Sequence, residues 1–259
     1  MAGAWSTALV GALVLALLAG CGGDNQTSPT ATASAAATPT PTASPPGMPA
    51  ATRVRFEAAD GKPVSGRYTR ATRANAPAVV LLHEIRGGPD QWDPLIPQLH
   101  EAGFATLAYQ SRQSWAEAER LPDAAGAVRW LRGRPGVDRD RIALVGASIG
   151  ASTAVLGMAT DTLRTAMAAV ALSPPDSSDI WALQDHHKYR PHDLLVIADE
   201  RESVSGKGML DGAVRSKLVQ SERPGHGVAL LAEEGLRDAL LGWLRDHAAL
   251  AGSSLGSRP

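Results

Sequence analysis

Short apolar runs recur along residues 78–219 and alternate with segments of helical spacing. Ala78–Leu82 and Phe104–Tyr109 are almost continuously apolar, which is typical of strands buried on both faces of a parallel sheet. Further strands are predicted at Ile142–Val145, Met167–Leu172, Leu194–Ala198 and Lys217–Val219. Strands that alternate with helices form a mostly parallel sheet with helices on both faces. The pattern therefore predicts an α/β fold, preceded by an antiparallel hairpin that turns at Asp60-Gly61.

Helices are predicted where apolar residues recur every three or four positions. They run from Trp92 to Gly103, over Ala124–Leu131 and Ala151–Ala159, and from Val228 to Leu244 as a long closing helix. In doubly wound sheets, functional groups lie on the loops that follow the carboxyl ends of strands. Chemistry is therefore expected just after each predicted strand.

Charge and cysteine content exclude several function classes. Lys and Arg number 25 against 26 Asp and Glu, so the chain lacks the basic excess that nucleic-acid binding requires. It has one cysteine, which excludes an internal disulfide and a cysteine-based zinc site. No phosphate loop, dinucleotide fingerprint or metal-ligand spacing occurs, so no cofactor and no metal is predicted.

The N-terminus combines a short apolar run, Leu9–Gly20, with the tetrapeptide Leu18-Ala19-Gly20-Cys21. The run is shorter than the ~20 apolar residues of a membrane span and suits a secretory signal. The tetrapeptide resembles the bacterial lipobox. That resemblance implies a signal peptide over residues 1–20 and a mature Cys21 that carries an acyl lipid such as palmitate. The protein would then be exported and anchored on the extracytoplasmic face of a membrane. An uncleaved anchor helix over Met1–Gly23 is the alternative.

A linker is predicted after the cysteine, over residues 21–51. Apart from Gly47 and Met48, residues 27–50 are all Ala, Ser, Thr or Pro. Such a segment cannot bury enough apolar surface to offset its ordering entropy, so it is predicted to be disordered. The folded domain is expected over residues 52–250, with a disordered tail over 251–259.

The pentapeptide Gly146-Ala147-Ser148-Ile149-Gly150 stands between a predicted strand and a predicted helix. This is the context that a G-x-S-x-G nucleophile turn requires. Glycines two positions before and after the serine remove Cβ atoms that would collide in so sharp a turn. The Ser148 hydroxyl would then be exposed at a helix N-terminus, where the dipole favours negative charge.

A serine nucleophile needs a general base that a third group orients. Of the seven histidines, His226 alone lies in a glycine-flanked loop between the last strand and the last helix. The acid is expected after the strand Leu194–Ala198, where Asp199 and Glu202 are the main candidates and Glu200 a weaker one.

These motifs together resemble the α/β-hydrolase superfamily, and within it the dienelactone-hydrolase-like and small esterase members. The order serine, acid, histidine is the one that this superfamily uses. Its members commonly carry Gly-x-x-Asp after the corresponding strand, which places the acid on Glu202, with Asp199 as the alternative. The resemblance also implies an oxyanion hole formed by the backbone N–H groups of Ile149 and Ile85.

Two charged residues near this site are possible modulators. Glu84 stands where dienelactone hydrolase has a glutamate close to its nucleophile, although that enzyme uses cysteine. Glu84 would contact the nucleophile or form an ion pair with Arg86 or Arg112. Arg112 would bind a substrate carboxylate or brace its loop.

The sequence therefore predicts a serine hydrolase that cleaves small-molecule esters, tethered to a membrane through lipid on Cys21. About 20 polar-rich residues follow Leu172 before the next strand, too few for a large lid domain. A catalytically inactive binding lipoprotein of the same fold and an acyltransferase with the same triad are the alternatives.

Overall fold

The computed structural model describes residues 49–255, except for the side chains of residues 253–255. The predicted signal peptide, the lipidation site Cys21 and nearly all of the predicted linker lie outside the described residues. Within the described part, no helix is both long and apolar enough to cross a membrane.

Strands and helices alternate along residues 49–255, as predicted. The strands are β1 (Ala51–Glu57), β2 (Pro63–Thr69), β3 (Ala76–Leu82), β4 (Ala105–Tyr109), β5 (Val137–Ala147), β6 (Ala169–Leu172), β7 (Leu194–Ala198) and β8 (Lys217–Gln220). The helices are α1 (Ile96–Glu101), α2 (Glu117–Arg132), α3 (Ile149–Ala159), α4 (Ser178–Asp185), α5 (Ser203–Gly208) and α6 (Glu234–Leu255). Two 3₁₀ turns cover Pro89–Trp92 and Gly227–Ala232.

All eight strands form one sheet in the order β1-β2-β4-β3-β5-β6-β7-β8. The first two strands form the predicted antiparallel hairpin, and β2 also pairs antiparallel with β4. Every other pairing is parallel. The carboxyl ends of β3, β5, β6 and β7 therefore meet at one edge of the sheet.

Alternate side chains of the central strands enter two separate apolar cores, because successive residues of a strand point to opposite faces. Val80 and Leu82 join the core that α2 and α3 cover. Val79 and Leu81 join the core that α1 and α6 cover. The continuous apolar runs in the sequence reflect this burial on both faces.

Several helices differ from the sequence prediction. The predicted helix from Trp92 to Gly103 is a 3₁₀ turn followed by α1, with Pro94 at the break. The closing helix begins at Glu234, since Val228 and Leu231 lie in the second 3₁₀ turn. It continues to Leu255, past residue 250 and into the predicted tail.

Helix α2 begins at Glu117, well before the predicted start at Ala124. Its first two turns bury Glu117, Arg120 and Asp123, so the apolar spacing that signals a helix is absent there. The short helices α4 and α5 were not predicted. Ile180 is the one side chain that α4 buries among its described residues, and α5 contains two glycines.

Candidate active site

Ser148 occupies the turn between β5 and α3, in the strand–turn–helix context that the sequence predicts. Its backbone has a φ of 52° and a ψ of −125°, a conformation that costs a non-glycine residue ~1–3 kcal/mol. A Cβ on Gly146 would overlap the carbonyl oxygen of Gly150, and one on Gly150 would overlap that of Leu82. Both glycines are therefore required for the chain to turn here.

The turn leaves Ser148 7% exposed. Among residues 49–255, no hydrogen bond uses its hydroxyl, and none joins it to His226. A bond between nucleophile and base is often long before substrate binds and shortens in the substrate complex. Ser148 is therefore positioned at a strained turn with a free hydroxyl.

Glu202 and His226 are brought together across two loops. The Nδ1 of His226 lies 2.6 Å from Oε1 of Glu202. Glu202 stands at the start of α5, after β7, and His226 follows β8. When Nδ1 carries the proton and donates it in a hydrogen bond to the carboxylate, Nε2 is left as the free acceptor. The other carboxylate oxygen of Glu202 is buried and has no partner among the described residues.

Asp199, the alternative acid, binds backbone and arginine rather than the histidine ring. Its carboxylate accepts hydrogen bonds from the guanidinium of Arg201 and the backbone N–H groups of Glu202 and Gly225. The bond to Arg201 is the main reason that the pKa of Asp199 falls to about 2. Asp199 thus ties the loop after β7 to the loop that carries His226.

Three side chains hold backbone N–H groups on either side of His226. Each comes from the carboxyl end of a different strand, with distances of 3.2, 2.9 and 2.9 Å: Asp199 to Gly225, Ser173 to Gly227, and Glu84 to Val228. Ser173, which is not among the site residues predicted from the sequence, is buried directly after β6 with a φ of 49°. Its position at a strand end was the signal that could have identified it.

Glu84 forms neither of the contacts predicted for it. Its carboxylate accepts from the N–H of Val228, and within residues 49–255 it forms no ion pair and no hydrogen bond with Ser148. A Cβ on Gly227, whose φ is +56°, would overlap the Glu84 carboxylate. Glu84 therefore connects the loop after β3 to the histidine loop.

Arg112 braces its own loop, which was one of its two predicted roles. Its guanidinium donates to Asp60 at 2.9 Å and to Asp123 at 2.6 Å. These two carboxylates raise the pKa of Arg112, with Asp123 as the larger cause. Because both carboxylates engage the guanidinium, the structure gives no support to its binding a substrate carboxylate.

Within residues 49–255, the backbone N–H groups of the two predicted oxyanion donors have no acceptor. Ile149 is the first residue of α3, where an N–H has no acceptor within the helix. Ile85 lies in a turn after β3, and no hydrogen bond among the described residues uses its N–H. His83, two residues before Ile85, is buried; its Nε2 accepts from the N–H of Ser111 at 3.0 Å, and its Nδ1 contacts the carbonyl of Glu84 at 2.6 Å.

A cavity of about 300 Å³ lies beside the histidine loop. Its walls are mostly apolar, and two of its lining residues, Val228 and Ala229, follow His226 closely. Ser148 and Glu202 do not line it, so the cavity lies next to the candidate triad rather than over the serine. Among residues 49–255, no group of three or more His, Cys, Asp or Glu side chains could hold a metal ion.

Comparison with known sequences gives distant relatives only. No family model matches the chain. Uncharacterized proteins from two strains of Mycobacterium tuberculosis are 34% identical over 157 residues, which cover 58% of this chain and 54% of theirs. The chain thus spans about half the length of these curated relatives.

Comparison with solved structures identifies the fold. The Pyrococcus furiosus esterase Pf2001 superposes with a TM-score of 0.62 at 18% identity, over 76% of this chain and 92% of the esterase. Dienelactone hydrolase from Anabaena variabilis gives 0.61 at 17% identity, over 76% and 96%. The 2,6-dihydroxy-pseudo-oxynicotine hydrolase gives 0.63 at 15% identity, over 77% and 68%. The chain therefore has the predicted α/β-hydrolase fold.

Proposed function

We propose that this chain is a serine hydrolase that cleaves small carboxylic esters through an acyl-enzyme. The observation that carries the proposal is the 2.6 Å contact between Glu202 and His226 at the sheet edge where the strained turn presents Ser148. A histidine oriented by a carboxylate is the general base that a serine nucleophile requires. The structural neighbours named as esterases and hydrolases agree with this chemistry.

In the first half of the reaction, Ser148 Oγ attacks the ester carbonyl and His226 Nε2 takes the hydroxyl proton. The carbonyl π electrons move onto oxygen, and the N–H groups of Ile85 and Ile149 stabilise the oxyanion, each by roughly 3–4 kcal/mol. The C–O bond to the alcohol then breaks, and His226 returns its proton to the leaving oxygen. The acyl group remains on Ser148.

In the second half, water replaces the alcohol. His226 takes a proton from the water while the water oxygen attacks the acyl carbon. The bond between that carbon and Ser148 Oγ then breaks, and His226 passes the proton to Oγ. The Glu202 carboxylate stabilises the imidazolium that forms in each half. The products are a carboxylic acid and an alcohol, so the reaction needs only water as co-reactant.

The proposal extends to the site of action: an exported protein held on the outer face of a membrane by lipid on Cys21. The lipobox-like tetrapeptide and the Ala/Ser/Thr/Pro-rich segment support it. Cys21→Ser should release the protein into the soluble fraction or block its processing. Equal membrane retention by the variant would favour an uncleaved helix instead.

A series of p-nitrophenyl esters of rising acyl length tests the activity. We expect turnover to be highest for short acyl chains, because among the described residues α4 is the one helix inserted between β6 and β7, and it is too short to form a large lid. Ser148→Ala is the control and should abolish turnover. Equal turnover by the wild type and Ser148→Ala would contradict the proposal, and an inactive wild type would favour a binding protein.

A further inference from the structure

Arg120 is a buried cation that has no carboxylate partner in the described part of the chain. It is 1% exposed, and none of the ion pairs among residues 49–255 includes it. Its Nε and Nη1 have no hydrogen-bond partner in the described part of the chain. Removing an unpaired charge from water is costly, so a residue of this kind needs a reason to be buried.

The acidic residues one turn away on α2 do not supply the missing partner. Asp123 binds the Arg112 guanidinium at 2.6 Å. Glu117 forms no ion pair with Arg120, and burial raises the pKa of its carboxyl. The Arg120 charge is therefore not neutralised by direct contact with either residue.

Among the described residues, the one hydrogen bond of Arg120 runs to the loop that follows β3. Its Nη2 donates to the carbonyl oxygen of His83 at 2.8 Å. On the other side, a Cβ on Gly150 would lie 2.7 Å from this same oxygen, so the first turn of α3 packs directly against it. The His83 carbonyl therefore contacts Arg120 and also the turn after Ser148.

His83 itself contributes no charge to this cluster. Its Nε2 accepts from the Ser111 N–H, so that nitrogen carries no proton, and burial lowers the pKa of the imidazole. Its Nδ1 then donates to the carbonyl of Glu84. Both backbone carbonyls are therefore held: the Glu84 carbonyl by the His83 imidazole, and the His83 carbonyl by Arg120.

We propose that Arg120 is a positioning residue for the oxyanion hole. This role rests on the proposed esterase function. Arg120 holds the His83 carbonyl against α3, and thereby directs the N–H of Ile85 toward the carbonyl oxygen of the substrate. A simple structural tie between α2 and β3 is the alternative. The two roles differ in whether turnover falls in protein that remains folded.

The test compares Arg120→Met with Arg129→Met. Arg129 lies on the same helix and also donates to backbone carbonyls, those of Glu57 and Ala58, at the hairpin. We measure kcat and KM for p-nitrophenyl acetate well below the thermal midpoint of each variant. Arg120→Met should lower kcat ~10- to 100-fold with KM within about twofold, because losing a direct oxyanion donor costs ~10²–10³ and this effect is indirect. Arg129→Met should leave kcat within about twofold.

A conservative pair covers the case in which Arg120→Met does not fold. Arg120→Lys keeps a charged donor for the carbonyl, whereas Arg120→Gln keeps only a neutral one, so kcat should fall in the order wild type, Lys, Gln. Wild-type kcat in folded Arg120→Met, or in both conservative variants, would overturn the inference alone. A wild-type chain without esterase activity would overturn the proposed function and this inference with it.

Discussion

The carboxylate of Glu84 accepts a 2.9 Å hydrogen bond from the backbone N–H of Val228, 144 residues later in the chain. This bond joins the two loops on which the proposed chemistry depends. One carries the oxyanion donor Ile85, and the other carries the base His226. Displacing either loop should therefore disturb the other.

Replacing Glu84 tests this connection. Glu84→Gln keeps an oxygen acceptor for Val228, and we expect near wild-type kcat. Glu84→Ala leaves that N–H unpaired and should lower the unfolding free energy by about 1–3 kcal/mol and reduce kcat. Urea unfolding and ester hydrolysis measure the two effects. A Glu84→Gln enzyme as impaired as Glu84→Ala would show that the charge, rather than the hydrogen bond, matters.

Substitutions of Glu202 and Asp199, the two acidic residues considered after β7, should have different effects on kcat and on stability. Glu202→Gln removes the carboxylate on His226 and should lower kcat by up to ~10⁴, the scale known for losing the triad acid. Asp199→Asn should lower the thermal midpoint and change kcat far less, because Asp199 contacts backbone and Arg201. Ester kinetics and thermal melts of both variants decide the matter. The reverse ranking in kcat would assign the acid role to Asp199.

The lowered pKa of Asp199 predicts that the folding stability decreases at acid pH. Its folded pKa of about 2 lies below the ordinary value of 3.8. The unfolded chain therefore binds more protons between these values, and stability falls as the pH drops from about 4 to 2. The thermal midpoint of Asp199→Asn should fall less than that of the wild type over this interval. Asp161→Asn, at an exposed carboxylate, is the control; parallel curves for all three proteins would contradict the assignment.

A side chain at position 227 should destabilise the folded protein. The φ of Gly227 is +56°, and a Cβ would overlap the Glu84 carboxylate. We expect Gly227→Ala to lower the unfolding free energy by about 1–3 kcal/mol, the usual cost of such strain. Gly235→Ala, where the space around a Cβ is open, is the matched control and should be neutral or stabilising. Equal stability of the two variants in urea unfolding would refute this account of the histidine loop.

The sequence predicted the strands well because apolar runs buried on both faces leave a continuous signal. It predicted the Ser148 turn for a similar reason, since both glycines are required by contacts close along the chain. The start of α2 escaped prediction because that helix buries Glu117, Arg120 and Asp123 instead of apolar residues. Burial of charge has no periodic signature in a sequence.

The parts of the site that the sequence could not provide are contacts between side chains and distant backbone. Ser173 and Glu84 bind the N–H groups of Gly227 and Val228. Because every residue except proline has a backbone N–H, the sequence does not show which of them will be bound. Asp199 and Glu202 were both credible acids, because each follows the same strand. Only the fold shows which of them contacts His226.

The most direct test of the central claim is the site at which a fluorophosphonate probe attaches. We expect a single probe adduct on the peptide that contains Ser148, found by mass spectrometry, and no adduct in folded Ser148→Ala. His226→Ala should slow labelling by at least ~10², because the serine loses its general base. A folded wild-type chain that takes up no probe, or takes it up at another residue, would contradict the assignment of Ser148 as the nucleophile.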